Sequence, residues 1–214
     1  MGRTRLSSRK LFFVAVIVII TIIAALVYVA IRPSEPPQGT TAFRTVTFDF
    51  DTGSPLLTAT QGTPFNQTLN GLTASFSSPS DSNAFSVKDL GIESLRLSKF
   101  SGKYLYDNKP SRDILDIKFS ENVIDARLTF ATIENKSGVI TVPSNILITG
   151  YRNTNLVGSN QTVGTFSSDS YPQGTLYFYA GLPFNWIRIS IPSQTSETTD
   201  FLVDNIIVSV VSKP

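Results

Sequence analysis

The chain has 214 residues, a length that suits one or two domains, and 41% of them are hydrophobic while only 16% are charged. It contains no Cys and no His, which excludes disulfides, thiol nucleophiles, His-dependent catalytic triads and zinc sites with Cys or His ligands. Five of the 18 basic residues lie in residues 1–32, which hold no acidic residue, so the other 13 basic and the 16 acidic residues give residues 33–214 a net charge of −3. The overall charge of +2 therefore does not indicate a nucleic-acid partner.

The N-terminal region contains one long apolar run, Leu11 to Ile31, without a charged residue. As a helix, these 21 residues extend over roughly 31 Å, which matches a bilayer core of about 30 Å. A cleaved signal peptide is the main alternative, but its apolar stretch has only about 7 to 15 residues; a buried soluble helix is the other. Because residues 1–10 carry more basic residues than the segment after the run, the sequence predicts a single-pass protein of the cell membrane, with a cytoplasmic tail at 1–10, a transmembrane helix at 11–31 and an extracellular C-terminal domain.

Residues 32–41 contain three prolines and few apolar residues. This composition disfavours both helix and strand, so we expect a short, fairly stiff linker between the membrane and an external domain at residues 42–214.

From residue 42 onward, apolar and polar residues alternate with a period of two between clusters of Gly, Pro, Ser, Asn and Asp. This pattern predicts an all-β domain, and its size is typical of a jelly-roll β-sandwich. In the clearest strand, Arg44–Asp51, we expect Val46, Phe48 and Phe50 to face the core. The other predicted strands are Leu72–Ser77, Ser94–Ser98, Leu115–Phe119, Ile124–Phe130, Asn145–Tyr151, Thr175–Ala180, Asn185–Ile191 and Phe201–Val211.

Two neighbouring predicted strands place aromatic residues opposite the core. One carries Tyr177 and Tyr179 between apolar residues, and in the next Trp186 and Arg188 alternate with Ile187, Ile189 and Ile191. Aromatic rings stack on the C–H faces of sugars while polar groups bond the hydroxyls, so these four residues are candidate ligand-binding residues on a shared face. The alternative is ordinary packing against cross-strand neighbours.

Acidic residues lie at both ends of the domain. Asp49 and Asp51 follow the first strand, and Asp204 with Asn205 interrupts the last one. First and last strands of a sandwich can be neighbours, and calcium prefers carboxylate and amide oxygens, so Asp49, Asp51 and Asp204 are candidate ligands of a structural calcium ion. Alternatively, Asp204 and Asn205 satisfy backbone groups at a β-bulge or sheet edge.

Three triplets match the acceptor pattern for N-linked glycosylation, at Asn66, Asn135 and Asn160. An external domain offers these residues for modification in a host that glycosylates secreted asparagines, and ordinary turn polarity is the alternative.

Catalytic chemistry has few remaining options, because without His and Cys only a carboxylate pair or a Ser–Lys arrangement is available. The five Glu residues lie in predicted loops or in the linker with no sign of a converging pair, and no Gly-rich phosphate loop occurs. The basic residues between Arg96 and Arg112 are interspersed with acidic ones, so they do not form a nucleic-acid patch. We therefore expect a protein that is not an enzyme.

Several short motifs carry a resemblance to a known family. Five segments are similar to parts of the galactose-binding-like jelly rolls found in carbohydrate-binding modules and bacterial surface proteins: Thr47–Asp51, Leu115–Ser120, Ile148–Tyr151, Leu156–Ser159 and Phe201–Ile206. The resemblance implies a β-sandwich that often holds a structural calcium ion near its terminal strands, a role that would pass to Asp49 or Asp51 and to Asp204, and that sometimes binds glycans. Many of those surface proteins end in a sorting signal, whereas this sequence ends at Lys213 and Pro214.

These observations predict a membrane-anchored extracellular binding module that recognises carbohydrate or another surface polymer. The alternative is a structural or protein-interaction component of the cell envelope that has no small-molecule ligand.

Overall fold

The computed structural model describes residues 43–92, 95–108, 113–134, 145–165, 171–192 and 198–211. The predicted tail, transmembrane helix and linker lie outside these ranges, and no helix within them is long and apolar enough to cross a membrane. The described residues are all antiparallel β-structure and connections, which confirms the all-β prediction. Their strands are β1 Phe43–Phe48, β2 Phe65–Leu69, β3 Leu72–Ser77, β4 Phe85–Asp89, β5 Lys103–Asp107, β6 Leu115–Glu134, β7 Asn145–Arg152, β8 Asn155–Val163, β9 Gln173–Ser190 and β10 Thr198–Val211.

The two longest strands, β6 and β9, pair with each other and belong to two sheets. The second half of β6 and the first half of β9 continue a sheet with the order β4-β5-β10-β6-β9, in which β1 also pairs with β10. The first half of β6 and the second half of β9 continue a sheet with the order β2-β3-β6-β9-β7-β8. The first and last strands are neighbours, with Phe43 opposite Val211.

A single large apolar core lies between the two sheets. Phe48 of β1 meets Phe76 of β3 edge to face, with ring centroids 6.2 Å apart. Phe178 of β9 lies directly over the Cα of Gly150 in β7, where an added Cβ would come within 2.1 Å of the ring. These contacts join residues of opposite sheets. The domain is therefore a β-sandwich whose inner faces pack closely against each other.

Some predicted strand boundaries were wrong. Leu115–Phe119 and Ile124–Phe130 are parts of the one strand β6, and the segments predicted at 175–180 and 185–191 are parts of β9. Register shifts between Lys118 and Asp125 bend the paired strands β6 and β9 at the point where the two-residue alternation of apolar residues is interrupted. The first strand ends at Phe48, because Phe50 takes a positive φ of 61° while its ring remains buried in the core.

The strand predicted at Ser94–Ser98 was also wrong over residues 95–98, which form no strand. Leu97 instead packs with Tyr104 and Leu202 in a second, smaller apolar cluster. This cluster lies on the outer side of β5, β6 and β10, so the apolar residues of the segment belong to a loop that packs on the outer face of this sheet.

Replacing Gly150 by Ala tests the close approach of the two sheets. Because the new methyl group would overlap the ring of Phe178, we expect Gly150→Ala to lower the free energy of unfolding by about 1–3 kcal/mol, measured by urea denaturation of the full chain. Gly91→Ala is the matched control, since its nearest contact is a carboxylate oxygen of Asp89 at 3.3 Å. Equal stabilities of the two variants would contradict this description of the core.

Candidate functional site

Tyr177 and Tyr179 project from the outer face of β9, as predicted, with 48% and 60% of their surfaces exposed. Their cross-strand neighbours on β6 are Arg127 and Asp125, respectively. On the other side of β6, Asp125 is the cross-strand neighbour of Ser209 in β10. We call this surface the tyrosine face; a shallow depression of about 240 Å³ on it is lined by Thr45, Asp125, Arg127, Tyr177, Ile207 and Ser209.

The tyrosine face combines exposed aromatic rings with two charged side chains. Neither Asp125 nor Arg127 forms an ion pair with any residue in the part of the chain that the structure describes. Sequence reasoning missed both residues as site candidates. Their alternation with buried Ala126 and Leu128 placed them on the outer side, but only the register of β6 against β9 brings them beside the tyrosines.

The structure places Trp186 and Arg188 away from the tyrosine face. Trp186 lies nine residues beyond Tyr177 on β9, which corresponds to roughly 30 Å of strand, and it pairs with Lys118 and Tyr151 in the other sheet. The expectation of one face shared by all four candidates was therefore wrong. The bend of β6 and β9 directs the two halves of each strand into different sheets.

The ring of Trp186 is engaged with protein groups. The ring of Tyr151 stacks on it with centroids 4.4 Å apart, and the guanidinium of Arg188 lies 5.1 Å from its centroid. The guanidinium of Arg188 in turn donates two hydrogen bonds, of 2.8 and 2.9 Å, to the carboxylate of the buried residue Asp116. These hydrogen bonds raise the pKa of the Arg188 guanidinium, which stays charged. Both residues thus form a fixed stack rather than an open sugar platform.

The three candidate calcium ligands come close together at the bulge in β10. Asp204 is fully buried and accepts hydrogen bonds from the backbone N–H of Ser101 at 3.0 Å and of Asn205 at 2.7 Å. Asn205 has a positive φ of 49°, and the pairing with β6 shifts register there, so the predicted β-bulge is present. Burial, with a smaller contribution from the nearby charges of Asp51 and Asp49, raises the pKa of the Asp204 carboxyl to about 7, although the two backbone hydrogen bonds act in the opposite direction.

Each of the other two carboxylates is held by the chain around it. Asp49 accepts hydrogen bonds from the backbone N–H and the hydroxyl of Thr52, and Asp51 accepts one from the backbone N–H of Lys103. Within the described ranges, no group of three or more acidic residues is arranged as a ready metal site. The three carboxylates therefore lie near enough to affect one another electrostatically, and each accepts hydrogen bonds from protein donors.

The glycosylation candidates differ in their surroundings. Asn66 is exposed on β2. Asn160 is exposed on β8, but its side-chain amide donates a hydrogen bond of 2.6 Å to the backbone carbonyl of Tyr177. Asn135 lies outside the described residues.

No family model matches the chain, and no curated protein matches it significantly. Solved structures similar to it include the carbohydrate-binding module TmCBM27, described for specific mannan recognition, with 11% identity over 80% of this chain and 99% of the module and a TM-score of 0.44. A second is the K1 cleaved adhesin domain of Lys-gingipain from Porphyromonas gingivalis W83, with 8% identity over 79% of this chain and 99% of that domain and a TM-score of 0.45. A third is CBM35 from Paenibacillus barcinonensis, with 16% identity over 78% of this chain and 99% of that module and a TM-score of 0.36. Two of these three structures are carbohydrate-binding modules, the class that the sequence resemblance names.

The buried Asp204 predicts how stability changes with pH in the presence of a chelator. Its pKa is about 7 in the folded chain and about 4 in the unfolded one, so between these values the folded state holds a proton that the unfolded state has lost. The free energy of unfolding should therefore fall as the pH rises from about 4 to about 7, by an amount on the order of a few kcal/mol, in urea titrations.

The Asp204→Asn variant should show a flatter profile across this range, because the amide does not titrate. Asp89→Asn, at the end of β4, is the control and should keep the wild-type slope. A wild-type profile that matches that of Asp204→Asn would contradict the raised pKa.

Proposed function

We propose that the chain is a non-catalytic binding module that recognises carbohydrate through the tyrosine face. The observation that carries this proposal is the pair of exposed rings, Tyr177 and Tyr179, beside the charged groups of Arg127 and Asp125, which form no ion pair with another described residue. Exposed aromatic rings supply contact area at a small cost in side-chain entropy. The adjacent guanidinium and carboxylate supply hydrogen-bond donors and acceptors for sugar hydroxyls.

The shape of the tyrosine face favours a polymer over a small, enclosed ligand. The two tyrosines follow one another along β9, about 7 Å apart, and the depression beside them is shallow. The loop that carries Leu97 and Phe100 covers the neighbouring part of the same sheet, so the open area is a strip bounded on one side. A strip of this kind suits an extended chain that lies across the sheet.

The location of the module follows from the sequence alone. We propose that residues 11–31 anchor it in the cell membrane and that the sandwich lies outside the cell, on the basis of the long apolar run and the basic residues before it.

Calcium is a separate proposal, supported by the buried Asp204 and by the charges of Asp49 and Asp51 near it. A divalent cation there would offset the mutual repulsion of the three carboxylates and stabilise the terminal strands. Asp49, Asp51 and Asp204 would supply oxygen ligands, and the ion's role would be structural.

A protein partner is the second candidate. Leu156 and Val163 of β8 and Leu182 of β9 are exposed apolar side chains, by 65%, 40% and 58% of their surfaces. Such residues near a sheet edge favour contact with another protein in the envelope, which would require no small-molecule ligand.

The tyrosine face can be tested with the purified full chain on an array of microbial and host polysaccharides. We expect saturable binding to at least one polymer, and Tyr177→Ala and Tyr179→Ala should each weaken it on the order of tenfold because a ring contact is lost. Leu56→Ala, which removes another well exposed apolar side chain from a loop, is the control and should leave binding unchanged. Binding that survives loss of both tyrosines would exclude this face, and no binding to any polymer would favour the protein-partner alternative.

The calcium proposal predicts a higher melting temperature in calcium than in chelator. An ion that binds only the folded state should raise the Tm of the wild-type chain on the order of 5 °C in calorimetry at neutral pH. Asp204→Asn should remove the difference, whereas Asp89→Asn should retain it. Equal melting temperatures of the wild-type chain in both conditions would exclude the ion.

A further inference from the structure

A second concave surface lies where the turn between β7 and β8 meets the bends of β6 and β9. It consists of two depressions, of about 360 and 240 Å³, that share Asn185. The larger is in the usual size range of small-molecule sites, about 300–1,000 Å³. It shares no residue with the tyrosine face. We call it the asparagine cleft; the lining residues that matter here are Lys118, Glu121, Asn122, Asn153, Asn185 and Trp186.

The walls of the asparagine cleft are held in place before any ligand arrives. The backbone N–H of Asn153 donates to the side-chain oxygen of Asn185 at 2.8 Å, and the amide of Asn185 donates back to Asn153 at 3.1 Å. Asn153 occupies the left-handed region, with φ 57°, in the β7–β8 turn. The stack of Tyr151 on Trp186 fixes the adjoining wall. A ligand would therefore bind with little loss of protein conformational entropy.

The asparagine cleft contains one lysine, Lys118, that has no carboxylate partner among the described residues. Glu121 pairs with Arg44, and Arg188 behind Trp186 pairs with Asp116. The Lys118 ammonium lies 5.2 Å from the ring centroid of Trp186 and has no carboxylate partner among the described residues. An occupant with one negative charge would complete this arrangement, and three asparagine side chains beside it offer both donors and acceptors.

The cleft thus combines a cation and amide side chains beside an aromatic ring, a set that matches a hydroxylated ring with an acidic substituent.

We propose that the asparagine cleft is a second binding site, for a hexuronic acid unit of an acidic polysaccharide. Lys118 binds the carboxylate, and the side chains of Asn122, Asn153 and Asn185 bond the ring hydroxyls. This site goes beyond the proposed recognition by the tyrosine face and does not depend on it.

The sequence supplies a reporter for this site alone, because Trp186 is the only tryptophan of the chain. The full chain, purified in detergent, is titrated with the methyl glycosides of glucuronic and galacturonic acid, with their neutral counterparts, and with inorganic phosphate, while tryptophan emission is followed. At least one uronide should change the emission saturably, and its neutral counterpart should bind about tenfold more weakly, because it lacks the charge that pairs with Lys118.

Two variants connect the signal to the cleft. Lys118→Gln should weaken uronide binding about tenfold while leaving the binding of the neutral sugar unchanged. Tyr177→Ala should leave the titration unchanged, so failure at the tyrosine face is distinguishable from failure here. Unchanged circular dichroism and melting temperature of Lys118→Gln would show that the exposed substitution preserves the fold.

Three results would overturn the proposal: no saturable response to any uronide, equal affinities for a uronide and its neutral counterpart, or an equal response to inorganic phosphate. The last result would indicate a simple anion site. Loss of affinity in Lys118→Gln for the acidic sugar alone would support the proposal even if no polysaccharide bound at the tyrosine face.

Discussion

Strands β6 and β9 run side by side through both sheets, and their backbone hydrogen bonds decide which residues of the chain share a surface. Because the pair bends between its two halves, one pairing interaction supports both layers of the sandwich. The second half of β6 then pairs with β10, whereas the first half of β6 pairs with β3 and the second half of β9 pairs with β7. The core, the tyrosine face and the asparagine cleft all take their positions from this bend.

Much of the fold could be predicted from two-residue alternation, because a half-buried strand repeats its apolar residues with that period. Val46, Phe48 and Phe50 are fully buried as expected, and β3 begins and ends where predicted. Strand β8 was missed, since most of its residues are exposed and no apolar face marks it. The bend of β6 was missed because the register shift breaks the alternation that would have revealed one continuous strand.

The candidate sites could be predicted only in part, for a related reason. Alternation assigns a side chain to the inner or outer side of its strand, and Tyr177, Tyr179 and Asp125 followed that rule. It contains no information about which strands become neighbours, so Trp186 was grouped with the tyrosines and Lys118 was not connected to Trp186. The positive φ of Asn153 and its reciprocal hydrogen bonds with Asn185 depend on contacts 32 residues apart in sequence, which no local pattern encodes.

The pairing of β1 with β10 has a consequence for how the domain tolerates rearrangement of its chain. Phe43 and Val211 lie opposite each other, so the ends of the sandwich are separated by about one strand spacing, roughly 5 Å. A few added residues would suffice to connect them, and the exposed turn at Asn153 and Thr154 offers a place for new termini. The order of strands along the gene is therefore not essential to the sandwich, and a circularly permuted chain would bury the same core.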